Sequence, residues 1–113
     1  MGIETIFANI SCSSLEKTLP WYEKLFGKPP TRLPMPGLAE WQHSDSAELQ
    51  LHENKANAGR STLTLGVLPM EPEHRRLADA GLNPGPIEQA DNFFIARLRP
   101  DGNLVVLTSA RRT

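Results

Sequence analysis

Alternating apolar and polar positions at the start of the chain predict a β-strand followed by a helix. In the segment ETIFANIS, Ile6, Ala8 and Ile10 fall on one face of an extended chain, and the residues between them fall on the other. The next segment, SSLEKTLPWYEKLFG, places apolar residues at helical spacing, with a serine as N-cap and Gly27 as a stop signal. Pro20 lies inside that segment. Because proline removes a helical hydrogen bond, we expect a kink or a split there.

Three short apolar runs separated by turn signals follow, and the same order then begins again. The runs TRLPM, LAEWQH and AELQLHE predict three strands. After the polar segment NKANAGRS, TLTLGV alternates as a strand, MEPEHRRLADAG has a helical pattern, and PGPIEQ, NFFIARLR and NLVVLTS predict three more strands. We expect an α+β fold of two tandem βαβββ modules in a single domain over residues 1–113, with module 1 at about 3–54, a linker at about 55–60 and module 2 at about 61–110.

The charge balance excludes two classes of partner. Lys and Arg number 12 and Asp and Glu number 13, giving a net charge of -1, so no electrostatic field favours nucleic acid or an anionic membrane surface. No apolar run approaches the ~20 residues of a membrane span, and no secretion signal is visible at the N-terminus. The single cysteine, Cys12, excludes an internal disulfide. We therefore expect a cytoplasmic protein with no nucleic-acid partner and no membrane association.

The doubled order resembles the vicinal oxygen chelate superfamily, which includes glyoxalase I, extradiol dioxygenases and the bleomycin-resistance proteins. The resemblance is carried by SSLEKTLPWYEKLFG after the first strand, RRLADAG in the second helix and PDGN before the last strand, and it spans nearly the whole chain. It implies that each module curls its sheet into half of a cupped, partly open barrel of mixed sheets, with helices outside and a cavity within. It also implies a homodimer, because module edges in this superfamily commonly pair between chains and open strand edges need covering.

The metal-binding positions of this superfamily are not retained. Carried over position by position, the first-strand places are Phe7 and Thr62, and the last-strand places are Gln50 and Val106. Phe and Val cannot bind a divalent ion, and Thr and Gln are weak, neutral ligands compared with imidazoles and carboxylates. The sequence therefore predicts no metal and no other cofactor, which removes the Lewis-acid route to glyoxalase or dioxygenase chemistry.

The side chains on the predicted cavity face suit a small organic molecule with an aromatic or apolar body and a few polar handles. Two of them have alternative interpretations. Trp41 either stacks on a planar ligand or belongs to the core, and Arg97 either binds a ligand carboxylate or phosphate or pairs with Glu48 or Asp101 at the rim. The predicted ligand-binding residues are Phe7, Asn9, Trp41, Gln50, His52, Thr62, Thr64, Phe93, Arg97 and Val106.

Three functional hypotheses follow. The leading one is a metal-independent small-molecule-binding protein, similar to the bleomycin-resistance branch, that sequesters an antibiotic or another organic ligand. The alternative is an enzyme of the same superfamily, a glyoxalase-like lyase or isomerase. It would use Glu48 and His52, which share one strand face, as acid and base, or it would use a displaced metal. The third is a non-catalytic regulatory or scaffolding module whose cavity is filled by its own side chains.

Overall fold

The computed structural model describes residues 2–112 and contains the predicted order of elements twice. The first set comprises β1 (Ile6–Cys12), α1 (Leu15–Phe26), β2 (Arg32–Met35), β3 (Leu38–Ser44) and β4 (Ala47–Glu53). The second comprises β5 (Thr62–Gly66), α2 (Met70–Asp79), β6 (Glu88–Gln89), β7 (Phe94–Leu98) and β8 (Leu104–Ser109), with a short 3-10 turn at Pro100–Gly102. The predicted domain of residues 1–113 also includes Met1 and Thr113, which lie outside the described residues.

Each set of strands forms a four-stranded mixed sheet. The strand orders are β1-β4-β3-β2 and β5-β8-β7-β6. In each sheet the first strand pairs parallel with the last, and the other pairs are antiparallel. The two sheets are cupped and do not close into a barrel, which confirms the predicted fold class. Because of this order, β1 and β5 each lie at an edge of their sheet.

One helix covers one face of each sheet, and the helix-covered faces share a single apolar core. Helix α1 begins after Ser14, whose Oγ accepts a hydrogen bond from the Lys17 N–H, and ends at Gly27 in the left-handed region at φ 73°. Its buried face carries Tyr22 and Leu25. The core extends from these residues into both sheets and includes Ile10, Trp41, Leu49, Leu51, Leu63, Met70, Leu77, Leu98, Val105 and Leu107. No helix among residues 2–112 is long and apolar enough to cross a membrane.

Helix α1 runs through Pro20 as one continuous helix, so of the predicted kink or split, the split does not occur. Pro20 and Glu16 are both exposed. The Glu16 carbonyl, which loses its helical donor at Pro20, is therefore on the solvated side of the helix. Burial of Tyr22 and Leu25 on the opposite side holds the helix against the sheet.

The strands before β8 are shorter than the sequence predicts. Strand β6 has only two residues, and β7 begins at Phe94, so Phe93 precedes the strand. Pro84 and Pro86 lack backbone N–H groups and cannot donate to a ladder, which limits β6. Residues 90–93 form a turn in which the Ala90 N–H donates to the Phe93 carbonyl at 2.8 Å.

A buried asparagine joins the two sheets where β1 ends and β5 begins. Asn103 is fully buried; its Nδ2 donates to the Ser11 carbonyl at 2.8 Å, and its Oδ1 accepts from the Ser61 N–H at 2.9 Å. The Ser11 N–H in turn donates to Ser61 Oγ at 3.2 Å. These bonds fix the C-terminal end of β1 beside the start of β5.

Candidate functional site

The face of the first sheet opposite α1, which we call the first open face, carries a row of hydrogen-bonded polar side chains. Strand register places Asn9 beside Gln50, Gln50 beside Glu40 and Glu40 beside Arg32, so the row crosses all four strands. Asn9 Nδ2 donates to Gln50 Oε1 at 3.2 Å, and Gln50 Nε2 donates to Glu40 Oε2 at 2.8 Å. Arg32 Nε donates to Glu40 Oε1 at 2.8 Å. We call these four residues the polar row.

Arg32 lies between two carboxylates. Besides its bond to Glu40, it donates through Nη2 to Glu48 Oε1. The side chains of Glu40 and Glu48 are 9% and 11% exposed, whereas that of Arg32 is 42% exposed. One guanidinium thus holds two largely buried carboxylates, and such charge-assisted bonds fix side-chain geometry before any ligand arrives.

The remaining predicted residues of the first open face surround this row. Phe7 lies beside Glu48 in the strand register and is 47% exposed, so its ring is available for contact. His52 lies beside Ser11 and is half-buried. Ser11 is buried, and its Oγ accepts a hydrogen bond from Asn57 Nδ2 at 3.0 Å.

The proposed acid–base pair is not brought together by the fold. Glu48 and His52 share a face of β4, but Gln50 lies between them, and four residues of strand span about 13 Å. Arg32 binds Glu48, and within residues 2–112 no hydrogen bond links Glu48 to His52. The structure therefore adds no contact between Glu48 and His52 to the common strand face that the sequence already indicated, and this face is all that supports the enzyme hypothesis.

The second open face, on the side of the second sheet away from α2, carries hydroxyl and aliphatic groups. Thr62 and Thr64 of β5 lie beside Leu104 and Val106 of β8 in the strand register. Arg97 of β7 lies beside Val106. Its guanidinium pairs with Glu88 of β6, instead of the predicted rim partners Glu48 and Asp101, because β6 runs alongside β7 and brings Glu88 within reach. Phe93 is 43% exposed and lies just before β7.

Trp41 lies on the helix-covered face of the first sheet, so it is separated by that sheet from the polar row. It is 2% exposed, lies beside Leu49 in the strand register, and its ring centroid is 5.1 Å from that of Phe26. Its Nε1 donates to the Lys28 carbonyl at 3.0 Å. The structure thus places Trp41 in the core, and its predicted position on the open face is corrected, because β3 alternates and Glu40 occupies the open side.

An apolar cleft of about 430 Å³ is lined by residues of β3, β4 and β5, together with Ala8 of β1 and Phe26 of α1. It differs in position from the predicted cavity, which the sequence placed on the open faces. Of the predicted ligand-binding residues, Trp41 and Thr64 border it. Its apolar walls are formed by Ala8, Phe26, Trp41, Ala47, Leu49, Leu63, Leu65 and Val67.

Solved structures with the same architecture cover almost the entire chain. A glyoxalase/bleomycin resistance protein from Catenulispora acidiphila DSM 44928 matches with a TM-score of 0.86 and 23% identity, covering 94% of this chain and 97% of the other. A bleomycin-binding protein complexed with bleomycin matches with a TM-score of 0.77 and 18% identity over 94% and 98% of the two chains. This chain has the glyoxalase/bleomycin resistance fold. It is the fold that the resemblance to the vicinal oxygen chelate superfamily implied.

The same fold occurs in TnmS3, an antibiotic binding protein from Streptomyces sp. CB03234, with a TM-score of 0.79 and 18% identity over 96% and 98% of the two chains. Neither a protein-family model nor a curated protein matches the sequence. At these identities the glyoxalase/bleomycin resistance likeness establishes the architecture, and the chemistry of the site has to be argued from the side chains of this chain.

The four positions that the resemblance matched to metal ligands, Phe7, Gln50, Thr62 and Val106, lie on the two open faces. Gln50 is already engaged by Asn9 and Glu40. Within residues 2–112, no three His, Cys, Asp or Glu side chains come close enough together to hold a metal ion. The donor set therefore does not fit the divalent-ion site of metal-using glyoxalase-type proteins.

Two residues of the site were missed from the sequence. The alternation Ala39-Glu40-Trp41-Gln42 was sufficient to place Glu40 on the open face opposite Trp41. No such pattern marked Arg32. Its strand, β2, has only four residues and contains Pro34, so it shows no clear alternation. Arg32 reaches Glu40 only through the register of β2 against β3.

Proposed function

We propose that this protein is a metal-independent binding protein that sequesters a small organic molecule, with antibiotics among the candidate ligands. The polar row on the first open face is the observation that carries the proposal. It supplies fixed polar handles beside the exposed ring of Phe7, and such a combination orients an organic ligand. The names of two structures with the same fold, a bleomycin-binding protein and an antibiotic binding protein, support the same class of ligand.

The chemistry of the row favours recognition over catalysis. Arg32 has five N–H donors and uses Nε and Nη2 within the row, so further donors can reach a ligand acceptor. Two carboxylates share this one guanidinium, so the row also accepts hydrogen bonds from ligand donors. Thr62, Thr64 and Arg97 of the second open face are the proposed polar contacts for the rest of the ligand. The free, buried Cys12 supports a reducing, cytoplasmic location.

A thermal-unfolding screen with aromatic and glycopeptide-like compounds tests this proposal. The screen is run with a metal chelator and then with added zinc. A ligand present at a hundred times its dissociation constant stabilises the folded protein by about 2.7 kcal/mol, so a true ligand raises the Tm clearly. We expect the same shift with and without the chelator. A shift that appears only with zinc, or no shift with any compound, contradicts the proposal.

A matched pair of glutamine variants tests the role of the polar row in binding. Gln50→Ala removes a residue that bonds both Asn9 and Glu40, whereas Gln89→Ala removes an exposed glutamine of the outer strand β6. Calorimetric titration of a ligand found in the screen measures both affinities. We expect Gln50→Ala to weaken binding by roughly tenfold, in line with one or two lost hydrogen bonds, and Gln89→Ala to leave it unchanged. Equal affinities of the Gln50→Ala and Gln89→Ala variants would show that the polar row does not contribute to ligand binding.

A further inference from the structure

The apolar cleft and the polar row use opposite faces of the first sheet. The walls that this sheet gives to the cleft include Ala8, Leu49 and Trp41, which lie side by side in the register of β1, β4 and β3. The polar row occupies the neighbouring position on each of these strands, and successive side chains of a strand point to opposite faces. The cleft is therefore separate from the site of the proposed function.

Four apolar side chains form the accessible walls of the cleft. Trp41 is only 2% exposed, so it belongs to the floor and offers a ligand almost no surface. Ala8 is exposed, and Phe26, Leu65 and Val67 are half-buried. A space of about 430 Å³ with such walls lies within the range of pockets that hold small organic molecules, roughly 300–1,000 Å³. The walls therefore fit the apolar body of a small ligand.

The edge of β5 adds backbone N–H groups to the border of the cleft. The Ser61 carbonyl accepts from the Leu104 N–H at 3.0 Å, and the Val67 N–H donates to the Thr108 carbonyl at 2.9 Å, so the odd-numbered residues of this segment face β8. The even-numbered residues 64 and 66 border the cleft and direct their N–H groups away from β8. These groups are available as donors to a ligand oxygen.

The charged side chains at the border of the cleft leave one positive charge unpaired. Lys28, His43 and Glu48 all lie there. Arg32 pairs with Glu48, whereas Lys28 is exposed and forms no ion pair within residues 2–112. The ring of His43 is exposed and carries a further N–H donor. An ammonium group beside N–H donors is complementary to a carboxylate.

The backbone of Lys28 is fixed at this border. Its N–H donates to the Glu23 carbonyl at 3.1 Å, and its carbonyl accepts from Trp41 Nε1 at 3.0 Å. Pro29 and Pro30 follow, and their rings restrict the chain on its C-terminal side. Because the backbone is already ordered, a contact with the Lys28 ammonium loses less conformational entropy when a ligand binds.

We propose that this cleft is a second binding site, and that its ligand is a small aromatic carboxylate. The aromatic body packs against Phe26, Ala8 and Leu65, and the carboxylate faces the Lys28 ammonium and the N–H groups of the β5 edge. A neutral or cationic molecule of the same shape has the same apolar contacts and lacks the charge that complements Lys28. The site does not depend on the proposed function, because no residue of the polar row borders the cleft.

Three probes that share one aromatic body test the class of ligand. Naphthylacetate is anionic, naphthylethanol is neutral and naphthylethylamine is cationic at pH 7. Each is titrated into the full chain, labelled with nitrogen-15, and the amide resonances are followed by NMR. We expect naphthylacetate to bind most tightly and the amine most weakly, with the largest shifts at Ala8 and Leu65. Equal affinities for the three probes, or no binding of naphthylacetate, would overturn the inference.

A variant that fills the cleft tests the location. Ala8→Phe adds a ring to an exposed wall residue, and its matched control, Ala56→Phe, adds the same ring to an exposed linker position. We expect Ala8→Phe to lose naphthylacetate binding, and Ala56→Phe and Gln50→Ala to retain it. Circular dichroism checks that each variant is folded. If Gln50→Ala abolished binding and Ala8→Phe retained it, the probe would occupy the first open face, which would overturn the inference and support the proposed function.

A change of charge tests Lys28 without altering the walls. Lys28→Glu reverses the charge at the border, and Lys17→Glu makes the same change at the exposed far end of α1. We expect Lys28→Glu to weaken naphthylacetate binding by roughly fivefold or more, because one attraction is lost and one repulsion is added, and to strengthen binding of the amine. Lys17→Glu should change neither affinity. Equal effects of the two variants would show that only the net charge of the protein matters, contrary to the proposed role of Lys28.

Discussion

Asp101 of the second module accepts two hydrogen bonds from Ser13, which precedes the helix of the first module. Its Oδ2 accepts from the Ser13 N–H at 2.7 Å and its Oδ1 from Ser13 Oγ at 3.0 Å. At the other end of α1, Arg76 of α2 donates to the carbonyls of Lys24 and Leu25 at 2.8 and 2.6 Å. The second module therefore holds both ends of the first helix, and these contacts fix how the two sheets face each other.

Replacing Asp101 tests the strength of this connection. Asp101→Ala removes both acceptors for Ser13, and we expect the free energy of unfolding to fall by about 1–2 kcal/mol, as for the loss of a helix-capping side chain. Asp101 adopts φ 52°, a left-handed conformation that asparagine also tolerates. Asp101→Asn keeps one oxygen acceptor and should lose less. Urea unfolding of the three proteins measures the difference, and equal losses for both variants would show that the oxygen acceptor retained by asparagine contributes nothing to stability.

The fold was largely predictable because its signals are local. Alternation in ETIFANIS and helical spacing in LEKTLPWYEKLF depend only on neighbouring residues, and both elements are present as predicted. The two departures from the predicted elements also have physical causes. Helix α1 continues through Pro20 because tertiary burial outweighs one missing hydrogen bond, and β6 is short because prolines precede it.

The candidate site was less predictable because it depends on register. Asn9 and Gln50 were recognised from alternation, and they lie side by side on the first open face. Arg32 joins Glu40 and Glu48 only because β2 pairs with β3 in one particular alignment, which the sequence does not encode locally. The sequence left Trp41 with two interpretations, stacking on a ligand or packing in the core, and the structure places it with Phe26 in the core.

The placement of Trp41 predicts that it supports stability and not ligand contact. Trp41→Phe removes the donor to the Lys28 carbonyl and leaves a gap beside Phe26, so we expect the free energy of unfolding to fall by about 1–3 kcal/mol. Trp21→Phe, at a half-buried position on α1, is the matched control with a smaller loss. Calorimetry should find unchanged ligand affinity for Trp41→Phe. If Trp41→Phe lost ligand affinity without losing stability, Trp41 would belong to the ligand site.

The contacts of Arg32 predict different costs for removing the two carboxylates that it binds. Glu40 accepts from both Arg32 and Gln50, whereas Glu48 accepts from Arg32. Glu40→Ala therefore leaves two donors without their acceptor, and we expect a loss of about 1–3 kcal/mol in the free energy of unfolding. Glu48→Ala should cost less, because Arg32 keeps its bond to Glu40. Denaturant titration compares the two variants, and a larger loss for Glu48→Ala would contradict the hydrogen-bond assignment.

The buried thiol of Cys12 makes stability depend on pH in the alkaline range. Burial, followed by the charges of Asp101 and Glu53, raises the pKa of Cys12 from 9.0 to about 11. Above pH 9 the unfolded chain releases this proton while the folded chain retains it. The corresponding stability is therefore fully present below pH 9 and is lost as the pH rises from 9 to 11. At about 1.4 kcal/mol for each pH unit, the full loss is about 2–3 kcal/mol.

A Cys12→Ala variant isolates this contribution. Burial also raises the pKa of Tyr22, but Tyr22 is present in both proteins, so their difference reports Cys12. The alanine variant is expected to be less stable at pH 8, because a buried side chain has been shortened. Its free energy of unfolding should then fall less steeply than that of the wild-type protein between pH 8 and pH 10.5. Parallel curves in urea unfolding across that range would show that the thiol titrates alike in the folded and unfolded chains, contrary to its buried position beside Asp101 and Glu53.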